Sequence, residues 1–446
     1  MRILESRNRG FERELEAILS QRREEMAGIE ETVREIIEGV RAEGDEALIR
    51  YARQFDGVEI SPMEMEIPHK EWAQAAQGME REALASLQRA AERIESFHRH
   101  QLVRSWFDTE HGIVRGQVVR PLARAGVYVP GGKAAYPSSL LMNVIPAKVA
   151  GVEEVVVVTP PSQRGVNPYI LAAAQVAGAD RVLQAGGAQA IAAMAYGTET
   201  VPQSDIIVGP GNAYVTTAKR LLYGVVMVDL IAGPSEILVL ADGSTPAVFA
   251  AADLLSQAEH DEMAWPIIIT PSPEFAQQVE GEVAQMQKTL PRHEIITACL
   301  ERHGTIILVQ DLAEGMGIAN RIAPEHLELA LQDPLRWLGE VQNAGTVFLG
   351  PYTPEAVGDY MGGPNHVLPT AGTARFFSPL GVEHFQKRTN ILSCSQEALE
   401  RLREDVARLA RLEGLEAHAR AVEVRGKCHD VTSPQSDQNQ KRKGRG

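Results

Sequence analysis

The chain has 446 residues, 44% of them hydrophobic and 23% charged, a composition that builds soluble globular domains with sizeable cores. Its formal net charge of −15 at pH 7 excludes the basic field that a nucleic-acid partner requires. Cys299, Cys394 and Cys428 are too few and too far apart for a disulfide framework or a cysteine zinc cluster, so a reducing compartment is expected.

The opening MRILESRNRGFERELE is charged from its second residue and has no apolar signal region. No stretch approaches the roughly 18 apolar residues of a membrane span, so a cytoplasmic protein with no membrane partner is expected. Residues 11–56 read as helices, with Val33, Ile36, Ile37, Val40, Leu48, Ile49 and Ala52 at helical spacing. A second long helix is predicted over about 74–100. From residue 127 short β-branched runs recur: VYVP at 127–130, VVVV at 155–158, RVLQA at 181–185 and DIIVG at 205–209. Gly or Pro punctuation and an Ala-rich helical stretch follow each, a βαβ rhythm that predicts a parallel sheet covered on both faces. A second series comprises EILVLAD at 236–242, PIIIT at 266–270, GTIILVQ at 304–310, EHLELAL at 325–331 and GTVFLG at 345–350. The fold class is therefore α/β, with two doubly wound, Rossmann-like parallel-sheet domains that break near 232–236. Smaller helical N- and C-terminal segments flank them, and the helices before residue 100 are expected to pack on the second sheet. Near the C-terminus Leu399, Leu402, Val406 and Leu409 form one helical stripe, and the polar end is expected to be disordered.

Loops at the carboxyl ends of parallel strands line ligand crevices. VPGGK at 129–133, AGGAQ at 185–189 and GPGN at 209–212 are three such loops. The last approaches the dinucleotide fingerprint but lacks its third glycine, although Asp229 follows Gly209 at the spacing of the ribose-binding acid. Each loop taken singly reads better as an ordinary tight turn with no ligand. Gln257 and His260 stand three apart, a metal-ligand spacing on one helix face, yet such a pair is ordinarily solvated. TPEAVGDYMGGPNHVLPT gathers Asp359, Asn365 and His366 in a turn-rich stretch. RIAPEHLEL sets Glu325 beside His326, residue types that divide acid and base roles, although neighbours on a strand point to opposite faces. No cysteine lies in these segments, which disfavours thiol catalysis.

Together these strings resemble the histidinol dehydrogenase family. VYVPGGKAAYPSSLLMN, AGGAQAIAAMAYGT, VGPGNAYVTTAK, AGPSEILVLAD, ADLLSQAEHD, RIAPEHLEL, VGDYMGGPNHVLPT, FQKRTN and EGLEAHARAV stand in the family's order from about residue 30 to 425. The resemblance implies oxidation of L-histidinol through L-histidinaldehyde to L-histidine with two NAD⁺, the last step of histidine biosynthesis. It implies one Zn²⁺ per subunit on Gln257, His260, Asp359 and His418, with Glu325 and His326 as the acid–base pair. Tyr128, Gln189 and Asn212 fall at the NAD-contacting positions. Ser235, Gln257, His260, His326, Asp359, Glu413 and His418 fall at the substrate-contacting ones. A homodimer with shared active sites is implied, His418 and Glu413 coming from the partner. The implied division is an N-terminal segment 1–24, a catalytic α/β domain of 25–126 with 235–379, an NAD-contacting domain 127–234, a dimerisation segment 380–425 and a tail 426–446. The rival is a paralogous zinc and NAD dehydrogenase of another small primary alcohol, such as a sulfonated diol; EGLEAHA with Glu413 and His418 looks like the histidinol form.

Overall fold

The computed structural model describes residues 1–24, 28–131, 136–231 and 233–427. Gly132 and Lys133 of the first glycine-rich loop, Ala232 at the expected domain break, Cys428 and the expected disordered tail from 428 on lie outside the described residues.

The chain opens with a strand that the sequence reading missed, β1 (Arg2–Glu5). β2 (Trp106–Glu110) and β3 (Ile113–Pro121) form an antiparallel pair. β4 (Arg124–Tyr128), β5 (Glu154–Thr159), β6 (Arg181–Gln184), β7 (Ile206–Val208) and β8 (Met227–Val228) make one sheet in the order β6-β5-β4-β7-β8. Every pairing in it is parallel. β9 (Glu236–Ala241), β10 (Trp265–Thr270), β11 (Thr305–Leu308), β12 (His326–Ala330) and β13 (Thr346–Leu349) join β1 in a second parallel sheet, ordered β1-β11-β10-β9-β12-β13. Leaving β1 aside, both sheets have the same doubly wound order: three strands step one way and the next two return past the first. β14 (Gln386–Cys394) pairs with β3 in a three-stranded sheet.

The apolar runs explain the layering. In β5, Val155 and Val157 join one core while Val156 and Val158 join another on the opposite face. β9 does the same, with Ile237 and Val239 on one side and Leu238 and Leu240 on the other. Each strand has two covered faces, so it reads as continuous rather than alternating hydrophobicity. Helix starts follow local chemistry: Asn167 accepts a hydrogen bond from the Tyr169 N–H ahead of Pro168, and Asp311 accepts one from that of Glu314.

One expectation is corrected. The helices between residues 30 and 99 pack on the first sheet, not the second. Val33, Ile36, Ile37, Val40 and Leu48 share a core with Tyr128, Val156, Val158 and Leu183. Trp72, Ala90 and Ile94 share another with Val127, Val155 and Val157. Amphipathic spacing identifies the buried face of a helix but not which sheet covers it. The element that does cross to the second sheet is the N-terminal one, where β1 is followed by a helix (Phe11–Glu24) whose Phe11, Leu15 and Ile18 meet Leu238 and Leu240.

The chain divides into two compact units: Met1–Leu102 with Pro121–Lys387, and Val103–Arg120 with the described residues from Arg388 on. Both parallel sheets lie in the first. In the second, the helices Gln396–Leu412 and Glu416–Lys427 meet through Ala407, Ala410 and Ala419.

Candidate active site

Glu236 is the first residue of β9 and the hub of a buried polar network at the amino edge of the second sheet. Its carboxylate takes a buried ion pair from Arg22, whose Nε donates at 2.8 Å, and a hydrogen bond from the Ala371 N–H at 2.9 Å. Its own N–H donates to Glu325 Oε2 at 2.8 Å. Its carbonyl oxygen lies 2.8 Å from His326 Nδ1 and accepts from Gln257 Nε2 at 3.0 Å. One residue thus fixes Glu325, His326 and Gln257 together.

The histidine tautomer follows from these contacts. Nδ1 faces a carbonyl, which only accepts, so Nδ1 carries the proton and donates. The nearby Gln257 Nε2, 3.0 Å away, shares the same carbonyl instead of donating to the ring. Nε2 is left with its lone pair, buried and without a hydrogen-bond partner among the described residues, 3.8 Å from Asp359 Oδ1. Burial holds the His326 imidazole below its ordinary range, so it is a neutral base at pH 7. Burial also pushes the Glu325 carboxyl well above the carboxylate range, reinforced by the charges of Glu236, Glu355 and Asp359. The two groups are neighbours in space as well as in sequence, His326 Nδ1 lying 3.6 Å from Glu325 Oε2. Glu325 precedes β12 and is free of its alternation, which is why adjacent residues can face one site. Ala323 supports the turn with φ 49°, a left-handed conformation that is uncommon outside glycine and clusters at functional sites.

A donor cluster adjoins this pair. His260, Glu355 and Asp359 each offer an atom within 4.8 Å of the others. The helix carrying Gln257 ends at Ala258, so His260 reaches the cluster from the following turn and not from a shared helix face. Asp359 lies on a five-residue π-helical turn, Gly358–Gly362, and its carbonyl faces His366 Nδ1 at 3.0 Å. Gln257 Oε1 is buried with no partner among the described residues. Glu355 was not singled out in the sequence; its burial beside a histidine is visible only in three dimensions. Ser235 is half-buried directly before Glu236, its carbonyl accepting from the Trp265 N–H at 2.9 Å. Glu413 and His418 belong to the second unit, where both side chains are exposed.

The first sheet gathers Tyr128, Gln189 and Asn212 at its carboxyl edge. The Tyr128 hydroxyl accepts from the Gly187 N–H at 3.1 Å. Gln189 is buried in the first turn of the helix Gly187–Tyr196, and Asn212 caps the helix Ala213–Leu222 through the N–H groups of Tyr214 and Val215. Gly209 has φ 109°, and a Cβ there would lie 2.1 Å from the Tyr128 carbonyl oxygen, so only glycine fits. Asp229 does not serve as a ribose acid. It is buried, accepts from the Gly209 N–H at 2.8 Å and pairs with Lys219, so it braces the loop from beneath.

The family model for histidinol dehydrogenase matches residues 19–426. The histidinol dehydrogenase of Syntrophotalea carbinolica is 50% identical over 426 residues, covering 95% of this chain and 99% of that protein. That of Aquifex aeolicus is 53% identical over 396 residues, 89% of this chain and 92% of its own. The crystal structure of histidinol dehydrogenase from Elizabethkingia anophelis superposes with a TM-score of 0.89 at 34% identity, covering 96% of this chain and 98% of that one. A match this long, with the buried Glu325–His326 pair intact, leaves one conclusion: the chain belongs to the histidinol dehydrogenase family.

Proposed function

We propose that the chain oxidises L-histidinol through L-histidinaldehyde to L-histidine, reducing two NAD⁺ as the last step of histidine biosynthesis. The observation that carries this reading is the single network on Glu236, which holds a neutral imidazole, a high-pKa carboxyl and an unpartnered amide beside a three-donor cluster.

The donor set fits a divalent metal of the zinc class. Imidazole, carboxylate and amide oxygen are nitrogen and oxygen ligands for which zinc is well suited, and Gln257 Oε1 is buried without a partner to satisfy it. Gln257, His260 and Asp359 would hold one Zn²⁺ per subunit, with the partner subunit's His418 completing the set. When bound, the metal supplies a positively charged template that orients the substrate. NAD⁺ would lie along the carboxyl edge of the first sheet, against Tyr128, Gln189 and Asn212, and serves as hydride acceptor.

The chain's own residues then do the proton work. His326 Nε2 takes the hydroxyl proton as hydride leaves the carbinol carbon, giving the aldehyde. Glu325 accepts a proton from water as its oxygen adds to the aldehyde carbon, and His326 returns the proton it took to the former carbonyl oxygen, giving the hydrate and freeing Nε2. A carboxyl raised toward the working pH is the stronger base for that step. His326 Nε2 takes one hydrate hydroxyl proton during the second hydride departure, giving the carboxylic acid, which ionises to the carboxylate as its proton and those on His326 and Glu325 pass to solvent. Ser235 and the partner subunit's Glu413 would orient the substrate's polar groups.

Shared sites in a homodimer are supported by the exposed side chains of Glu413 and His418 and by the apolar Leu402, Leu409, Leu412 and Leu415 exposed beside them in the second unit. A cytoplasmic location accords with the expected reducing compartment; among the described residues no helix is long and apolar enough to cross a membrane. The test is NADH formed per L-histidinol consumed, with and without a chelator, beside a sulfonated diol. Two NADH per histidinol, abolished on chelation and absent with the diol, is expected. Turnover of the diol but not of histidinol would refute the substrate assignment.

A further inference from the structure

Dinucleotide domains usually carry an acid at the end of the strand neighbouring the first, where it receives the adenosine ribose hydroxyls. This first sheet offers none there. β4 is its first strand, and neighbouring β5 ends in Thr159 followed by Pro160 and Pro161. Asp229, which has the sequence spacing of that acid, is committed to Gly209 and Lys219.

A carboxylate nevertheless reaches this place from another part of the chain. Asp56 ends the helical turn Ala52–Asp56, and Gly57 with φ 65° closes it. Both carboxylate oxygens lie 3.2 Å from where a Cβ on Gly186 would stand, and the Pro160 Cβ lies at the same distance. The Gln163 side chain, in the loop after β5, donates to the Gly57 carbonyl oxygen at 3.4 Å and ties the turn to that loop. Asp56 Oδ2 is buried and has no hydrogen-bond partner among the described residues. Asp56 is not a cap for the adjacent helix: the Gly187 N–H goes to Tyr128, and the Ala190 N–H to the Gly186 carbonyl.

We infer that Asp56 supplies the missing ribose carboxylate, accepting hydrogen bonds from the adenosine ribose hydroxyls of the dinucleotide and discriminating against a 2′-phosphate. The inference rests on the first sheet being the dinucleotide domain. The carboxyl lies beside Gly186 and Pro160 at the carboxyl ends of β5 and β6, on the same edge as Tyr128, whose hydroxyl is pushed up to about 12 by burial with the Asp56 charge adding to it. Burial also pushes Asp56 itself up to about 6. Two ribose hydroxyl donors would satisfy the stranded oxygen and favour its ionised form. A phosphate at the 2′ position would meet a carboxylate that has no cationic partner among the described residues.

The test uses the metal-loaded full-length protein and NADH binding followed by fluorescence. Asp56→Asn keeps the shape and removes the charge. It is expected to weaken NADH about 10-fold, the loss typical of hydrogen bonds to a charged group, and to raise the NADP⁺-to-NAD⁺ ratio of kcat/KM by about 10-fold. KM for histidinol and the thermal midpoint without dinucleotide should not move. Asp56→Glu, retaining the charge, should keep NADP⁺ excluded. NADH affinity within twofold of wild type and an unchanged cofactor ratio would overturn the inference. A fall in thermal midpoint with equal losses for histidinol and NADH would also overturn it, marking Asp56 as structural. If the wild-type protein bound no NADH, the dinucleotide reading itself would fall and take this role with it.

Discussion

Arg22→Met should be among the most damaging substitutions away from the reacting groups. Arg22 and Glu236 are both buried, with side-chain exposures of 2% and 3%. The guanidinium gives hydrogen bonds to both Glu236 oxygens and a third, at 2.9 Å, to the Ile322 carbonyl. Methionine matches much of the volume but leaves the Glu236 carboxylate buried and uncompensated. Breaking a buried pair from one side costs about 3–5 kcal/mol, far more than the net value of the pair. The damage should also reach catalysis, because Glu236 places Glu325 through its N–H and His326 through its carbonyl. Urea denaturation followed by circular dichroism gives the stability change. The double variant Arg22→Met with Glu236→Gln, which removes both charges, should recover at least about 2 kcal/mol of the loss. An Arg22→Met protein within about 1 kcal/mol of wild type would show that the pair is not a stability element and refute the reasoning.

Three further outcomes are expected. Gly209→Ala should cost about 1–3 kcal/mol of local strain, because its Cβ meets the Tyr128 backbone; NADH affinity should fall at least tenfold in a fluorescence titration, and unchanged affinity would mean the loop is not part of that site. Glu355→Gln, beside the proposed ligands His260 and Asp359, should weaken metal retention roughly 10- to 100-fold in a competition with a chelating dye, whereas retention equal to wild type would show that Glu355 does not support the metal site. Glu328, hydrogen-bonded to Asp253, is pushed up to about 9 by burial first and then by Asp253. A raised carboxyl contributes stability below the unfolded pKa and loses it as pH climbs toward the folded value, so the thermal advantage of Glu328→Gln over wild type should grow from about pH 5 to about pH 9; a difference constant across that range would contradict the shift.

The two sheets were legible because parallel strands covered on both faces are written as unbroken apolar runs, and each such run predicted from VVVV at 155–158 to GTVFLG at 345–350 is a strand. β1 was not legible. RILE has one buried side chain, Leu4, and a four-residue edge strand carries too little periodicity to stand out from a charged terminus. The packing of the helices before residue 100 was misplaced because a buried stripe names no partner. At the site, Glu325, His326, Gln257 and Asp359 do converge, but the hub was missed: Glu236 acts through its N–H and carbonyl as much as through its carboxylate, and backbone groups leave no mark in a sequence. The rule that ligands bind at the carboxyl ends of parallel strands also concealed it, since His326 and Glu236 open their strands.

The electrostatics of this edge explain why one hub matters so much. Glu236, Asp253, Glu325, Glu328 and Glu355 are all buried, and among the described residues only Glu236 has an arginine or lysine partner. Unpaired ionised carboxylates cannot be kept in such a place, so each must hold a proton or face a cation. The two solutions separate by position. Asp253 and Glu328 hydrogen-bond to each other, which requires a proton between them, and both are raised by burial. Glu355 and Asp359 instead converge with His260, where a divalent ion would offset both charges at once. Glu325 takes the first solution by itself: among the described residues no arginine or lysine meets it, and its Oε2 accepts from the Glu236 N–H. That isolation keeps its carboxyl high, and a high carboxyl is what water activation beside a neutral imidazole needs. The Arg22–Glu236 pair therefore separates two functions that a single free acid at position 236 would merge, anchoring the network without giving Glu325 a counter-charge of its own.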